Sequence, residues 1–300
     1  MKKFTTFDDK EIFYREWNEV KDPKAVLMIV HGMAEHIGRY EEFANYLNEN
    51  KIIVIGMDSR GHGKTGEKYN TLGHFDGIDW HNIVFDLNYL RFLKSKEYPN
   101  LPFFLMGHSM GSFMARYYIT RFPNEFDGAI IMGTGSAENK LDLNAALYIS
   151  TLLRSKKQAK FLQKFIFGRF NNMIKNPRTG FDWICSVPEE VDRYLEDPYC
   201  GLDVTNGFYN SFFFGIKDLS KLENDLQIPK DMPIFVVAGE KDPVGNNGKD
   251  VEFYYEKLKN YGIKDLKIKL YENMRHEILQ EFDKERVYKD LKDWILERVK

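Results

Sequence analysis

Cysteine is nearly missing from this chain: Cys185 and Cys200 are the only two in 300 residues. Two thiols do not make a disulfide framework, so the expectation is a pair of reduced side chains. No segment reaches the roughly 18 consecutive apolar residues that a membrane-spanning helix needs. The start, MKKFTTFDDKEIFYREW, opens with Lys2 and Lys3 but has no apolar run behind them. That speaks against an ordinary signal peptide and makes the cytoplasm the expected compartment. A charge excess of one sign is also lacking. Lys and Arg number 43, Asp and Glu 45, for a net charge of −2, so no global field draws the protein to nucleic acid. Internal repeats and low-complexity linkers are missing as well.

What is present is a patterned globular chain. Hydrophobic residues make up 43%, enough to bury a core, and aromatics reach 15%, which suggests apolar surfaces or pockets beyond a minimal core. Two early strands read at 3–7 and 11–17, around the turn Asp8-Asp9-Lys10. Apolar runs follow at 25–30, 52–58, 102–107, 128–133, 233–239 and 266–272. Most are continuously apolar, as parallel strands covered on both faces should be. Helical patterns lie between them at 39–49, 79–97, 110–121, 248–260 and 283–299. This alternation predicts an α/β fold, with a mostly parallel eight-stranded sheet and flanking helices.

The alternation stops between 136 and 215. There Leu141, Ala145, Tyr148, Ile149 and Leu152 share one helical face, followed by two aromatic-rich stretches. The expected organisation is a core of 1–135 and 216–300, with a helical cap inserted at 136–215 over the carboxyl ends of the strands.

At the end of the run 102–107 the chain reads Gly107-His108-Ser109-Met110-Gly111, a G-x-S-x-G. A strand before it and a helix after it are the context this motif requires. The serine would occupy a strained turn, where side chains at the two glycine positions would clash with the neighbouring strand and helix. A serine hydroxyl is a weak nucleophile and needs a base. Of the seven histidines, His276 follows the last strand, in a loop from which it can reach the serine. A carboxylate should orient that imidazole. Glu240 and Asp242 end the strand 233–239, and Asp242 leaves room for the chain to turn back. Asp225 and Asp231 precede that strand and belong at its wrong end. Oxyanion donors are expected from the backbone N–H of Met110 and, after Gly32, of Met33.

Other residues near these motifs have plainer readings. His31 should bond backbone near the oxyanion loop, and His62 should order its glycine-rich loop. Asp58 and Arg60 read as a structural ion pair. Glu35 and His36 could tether the oxyanion loop. His108 is expected to face away along the turn.

Five stretches, HGMAEHIGRY, DSRGHGKT, GHSMG, GEKDPV and MRHEIL, together resemble the monoacylglycerol lipase/lysophospholipase group of the α/β-hydrolase superfamily, also grouped with serine aminopeptidases. The resemblance covers most of 5–135 and 215–300. It implies an α/β-hydrolase fold and a Ser-His-Asp esterase using Ser109, His276 and Asp242, with an oxyanion hole from Met33 and Met110. It also implies no metal and no cofactor. The substrate it implies is a small acyl ester of lipid type, cleaved through an acyl-enzyme.

The cap leaves alternatives open. Phe161, Phe165, Phe167, Phe170, Phe208, Phe212, Phe213 and Phe214 either line an acyl tunnel or hold the cap to the core. Arg154, Lys156, Lys157, Lys160 and Lys164 are either a solvated face or a weak contact with an anionic membrane surface. Glu189, Glu190, Asp192, Glu196 and Asp197 would suit an aminopeptidase that binds a free ammonium. Acyl transfer to an alcohol uses the same triad. A non-catalytic binding protein would be expected to lose a triad member, and all three are present.

Overall fold

The computed structural model describes residues 1–299 except 76, 78, 139 and 154. Of 140–143, 146, 161 and 165–167 it describes the backbone only. The strands are β1 (Lys2–Thr5), β2 (Glu11–Trp17), β3 (Ala25–Val30), β4 (Ile52–Met57), β5 (Phe103–His108), β6 (Gly128–Met132), β7 (Ile234–Gly239) and β8 (Leu266–Tyr271). They form one eight-stranded sheet in the order β1-β2-β4-β3-β5-β6-β7-β8. β2 is antiparallel to both its neighbours, and every other pair is parallel.

The apolar runs are continuous because both faces of the sheet are covered. In β3, Val26, Met28 and Val30 point into one core layer, and Ala25, Leu27 and Ile29 into the other. A short helix α2 (Gly63–Lys68) follows β4, and the first layer is completed by α3 (Asp79–Glu97), α4 (Met110–Arg121) and α9 (Lys249–Tyr261). The second is completed by α1 (Glu41–Glu49) and α10 (Lys284–Leu296), whose Val287, Leu291, Trp294 and Ile295 are fully covered.

Between β6 and β7 run α5 (Lys140–Leu152), α6 (Lys160–Asn171), α7 (Pro188–Glu196) and α8 (Asn206–Leu222). α8 lies on α3 so closely that a Cβ on Gly215 would stand 2.1 Å from Trp80 Cδ2. Both roots of this insertion meet at Arg116 of α4. Its guanidinium donates to both Glu223 carboxylate oxygens, at 2.7 and 3.0 Å, where α8 ends. It also donates to Thr134 Oγ1 at 2.8 Å and to the Gly135 carbonyl at 2.7 Å, where the insertion begins.

The aromatics of the insertion divide. Phe208 is buried and stacks on Phe75 at 4.0 Å, and Phe213 is buried against Tyr209. Phe212 is half-buried and Phe214 is exposed. The side chains of Phe161, Phe165, Phe167 and Leu141, and the whole of Arg154, lie outside the described residues. Helix α5 packs on the core through Leu147, and Ser150 accepts a bond from Asn210 of α8. Tyr148, Ile149 and Leu152 therefore face solvent. Cys185 and Cys200 are unpaired and buried.

The expected Asp58–Arg60 pair is not the one formed. Arg60 bonds Asp8 and Asp86 instead. Asp58 accepts the backbone N–H groups of Ile37 and Lys64. A short acid near loop backbone is better satisfied by fixed N–H donors than by a guanidinium pointing to the other side of its own turn.

Candidate active site

The elbow is strained in the way its sequence demands. Ser109 has φ 53° and ψ −122°, held between the end of β5 and the first residue of α4. Its own N–H donates to the Met132 carbonyl of β6 at 3.0 Å. A Cβ on Gly107 would stand 2.2 Å from the Gly111 carbonyl oxygen, and one on Gly111 2.1 Å from that of Val30. Glycine at both positions lets α4 leave the sheet this steeply. The Met110 N–H lies in the first helical turn, where amide groups have no partner within the helix.

His276 and Asp242 are brought together by the ends of β7 and β8. His276 Nδ1 donates to Asp242 Oδ2 at 2.9 Å, and both groups are shut off from solvent. The second carboxylate oxygen accepts the Val244 N–H at 2.9 Å. This fixes the imidazole tautomer and leaves the Nε2 lone pair free to take a proton. Glu240 is exposed at the end of β7 and accepts the N–H of Asn273. Gly239 permits the close crossing: a Cβ there would meet the Arg275 carbonyl at 2.0 Å. Asp225 and Asp231 are exposed on the loop before β7.

The loop after β3 passes against the serine, since a Cβ on Gly32 would stand 3.1 Å from Ser109 Cβ. His31 Nδ1 donates to the Gly32 carbonyl at 2.8 Å, and its Nε2 accepts the Ser59 N–H at 3.0 Å. Burial holds its pKa below the ordinary value. Glu35 Oε1 accepts the Gly32 N–H at 2.5 Å. His62 is buried, donates Nδ1 to the Arg60 carbonyl, and packs against His31, Phe75 and Phe208.

His108 does not turn away as expected. Its ring packs against His276, because Glu35 on the neighbouring loop draws Nδ1 inward to 3.2 Å. Around this pair lies an ionic cluster that the sequence reading missed. Arg39 binds Glu277 through two bonds, at 2.6 and 2.7 Å, and Glu35 at 3.1 Å. Tyr40 donates to Glu35 at 3.0 Å. Burial raises the carboxyl pKa of Glu35, but His108 and Arg39 outweigh it and hold the group ionised. The spacing Glu35, Arg39 on a forming helix and Glu277 beside His276 were the available signals.

The acidic residues weighed for an ammonium site are largely occupied. Glu190 pairs with Arg193, Asp192 with Arg178, and Asp197 with His36. Glu189 and Glu196 are exposed. Among the described residues, His36, Asp197 and Cys200 converge closely enough to invite a metal ion. Their donor set does not fit one. His36 Nδ1 already accepts the Gly38 N–H, so Nε2 carries the proton that it gives to Asp197, and the ring has no lone pair left.

The family model described as serine aminopeptidase, S33, matches residues 21–283. The chain is 27% identical over 288 residues to the monoacylglycerol lipase of Mycolicibacterium smegmatis, covering 95% of this chain and 92% of that protein. It is 27% identical to the human monoglyceride lipase, covering 97% and 88%. Among solved structures, a thermostable carboxyl esterase from Bacillus coagulans in complex with glycerol superposes with a TM-score of 0.91 at 26% identity, covering 99% and 98%.

Proposed function

The chain belongs to the serine aminopeptidase S33 family, and on that premise we propose that it hydrolyses carboxylic esters of the monoacylglycerol type through an acyl-enzyme on Ser109. The observation that carries the reading is the buried Asp242–His276 pair beside a serine held at φ 53°. His276 Nε2 removes the Ser109 proton as the hydroxyl oxygen attacks the ester carbonyl. The tetrahedral oxyanion is received by the N–H groups of Met33 and Met110. The same imidazolium protonates the departing alcohol. Water, deprotonated by His276, then releases the acid and restores the serine. Asp242 keeps the ring oriented and balances its charge throughout.

Residues 136–215 act as the cap over a core of 1–135 and 216–300. Trp183 of this segment supports that role, because its ring lies 5.2 Å from the His276 ring. The ester reading is favoured over the aminopeptidase reading by the paired state of the cap acids and by the named activities of the relatives. Tyr148 and Leu152 expose apolar surface beside Lys156 and Lys157, which suits weak contact with an anionic lipid surface.

Ser109→Ala tests the reading. Turnover of a p-nitrophenyl ester should fall by about 10⁴ or more, and labelling by a fluorophosphonate should vanish. Retained turnover in that variant would overturn the proposal. A panel of glyceryl esters and lysophospholipids with acyl chains of increasing length then reads the substrate class. Preference for the shortest chains would count against a lipid.

A further inference from the structure

The insertion touches the two loops that flank Ser109, and it does so through one short segment. Tyr194 of α7 donates its hydroxyl to the Ala34 carbonyl oxygen at 3.0 Å. The Gly201 N–H donates to the same oxygen at 3.0 Å. Asp197, just past α7, accepts from His36 at 2.9 Å. On the other side, the Glu277 N–H donates to the Ile184 carbonyl at 2.7 Å, and Arg275 donates to the carbonyls of Asp182 and Cys185. Trp183 packs on the His276 ring.

Ala34 has φ 52°, a left-handed conformation that a residue with a Cβ disfavours. Its carbonyl is therefore aimed by its two donors and not by local preference. The residue before it is Met33, whose N–H shares a peptide plane with the Gly32 carbonyl. That carbonyl is held by His31 on the core side. The Met33 amide thus sits between two anchors, one from the core and one from the insertion.

We propose that residues 181–201 are a brace shared by the oxyanion loop and the histidine loop, and that Tyr194 is a positioning residue for the Met33 oxyanion donor. Tyr194 itself is suited to hold a fixed direction. Its ring is 5% exposed, and the Arg39 guanidinium lies 4.9 Å above it. Loss of the hydroxyl leaves Ala34 with one donor and lets the strained backbone relax, which swings the preceding amide. An oxyanion donor acts only when it meets the charge as it forms, so the effect falls on the transition state and not on ground-state binding.

This inference rests on the ester-hydrolase reading above, and its test separates the two. Tyr194→Phe removes one oxygen and keeps the ring and its contact with Arg39. Rates are expressed per site titrated with a fluorophosphonate, so partial unfolding does not enter. The expected result is a fall in kcat of about tenfold at constant KM on a p-nitrophenyl ester. The inhibition constant of an alkylboronic acid, which mimics the tetrahedral adduct, should rise by the same factor. The ionisation in the kcat/KM pH profile should not move. His36→Gln loosens the same loop at another contact and should weaken the boronate in the same direction. Phe253→Ser, on the exposed face of α9, should leave it unchanged. Wild-type kcat and boronate binding in Tyr194→Phe would overturn the inference, as would a raised KM at constant kcat, which would make the hydroxyl a substrate contact. Turnover that does not depend on Ser109 would instead overturn the functional reading.

Discussion

The ring of His108 lies 4.7 Å from the ring of His276, and His108 Nε2 is 3.3 Å from the His276 carbonyl oxygen. Its other nitrogen faces the Glu35 carboxylate. Both ring nitrogens thus meet acceptors, which only the doubly protonated imidazole satisfies. Burial opposes that charge, but the bond to Glu35 and its negative charge outweigh it, and the His108 pKa is raised. A buried imidazolium–carboxylate pair therefore joins the loop of Gly32 to the backbone of His276. The two loops are thus tied to each other on either side of the elbow.

The choice of carboxylate can be separated by substitution. Asp242→Asn keeps the size of the side chain but cannot balance the imidazolium, and kcat should fall by about 10⁴. Glu240→Gln should stay within a few-fold of the wild type. Steady-state kinetics on one p-nitrophenyl ester measures both, and the reverse pattern would reassign the third member of the triad.

Two glycines give opposite expectations for the same change. Gly111→Ala drives a methyl group to 2.1 Å from the Val30 carbonyl and must part α4 from β3. It should cost about 3 kcal/mol or fail to yield soluble protein. Gly168→Ala, in α6, meets nothing within 4 Å and should stabilise the protein by about 0.5–1 kcal/mol. Thermal melts of the two variants give the answer directly.

Arg116 and Glu223 are both almost wholly buried, so removing Arg116 leaves Glu223 the more distant Lys257, at 3.5 Å, as its counter-charge. Arg116→Met alone should cost about 3–5 kcal/mol. The double variant Arg116→Met, Glu223→Met should recover most of that loss, because desolvation of both ions is relieved. Urea titrations of the single and double variants test it. A double variant as unstable as the single would mean that the bonds from Arg116 to Thr134 and Gly135 matter more than the ion pair.

His62 makes stability depend on pH. Burial pushes its pKa down to about 3 from the ordinary 6.5. The unfolded chain then binds the extra proton between those values. The stability that neutral His62 confers is complete above about pH 6.5 and is lost as pH falls toward 3, at up to about 1.4 kcal/mol per pH unit. Asp86, which burial pushes up to about 6, titrates in the opposite sense over part of this range. The comparison is therefore a difference: wild type minus His62→Asn, by urea unfolding at pH 7.5, 6.5 and 5.5. A difference independent of pH would contradict the buried neutral imidazole.

The central strands β3 to β7 were legible because each is a nearly unbroken apolar run bounded by turns, and the observed ends of all eight strands fall within about two residues of those read. The elbow was legible because five adjacent residues carry it. What escaped was set by contacts distant in sequence. Nothing near Arg60 announces Asp8 or Asp86. The approach of His108 to Glu35 depends on β3 and β5 being neighbours. The contacts of Tyr194 with Ala34 and of Trp183 with His276 escaped because pattern shows which face of α7 is buried but not what that face is buried against. The face of α5 with Tyr148, Ile149 and Leu152 looked like a packing face by spacing alone, and spacing does not say which apolar face meets the core.

The order of the strands has a consequence for how the protein is made. From β5 onward each new strand is laid at the same growing edge, β6, then β7, then β8. Ser109 is in hand once β5 and α4 exist, but His276, its proposed base, arrives only with the loop beyond β8, after the whole insertion has been synthesised. A nascent chain therefore carries the hydroxyl for most of its length without the group that would arm it. On the proposed mechanism, hydrolytic power is switched on only when β8 has joined the sheet.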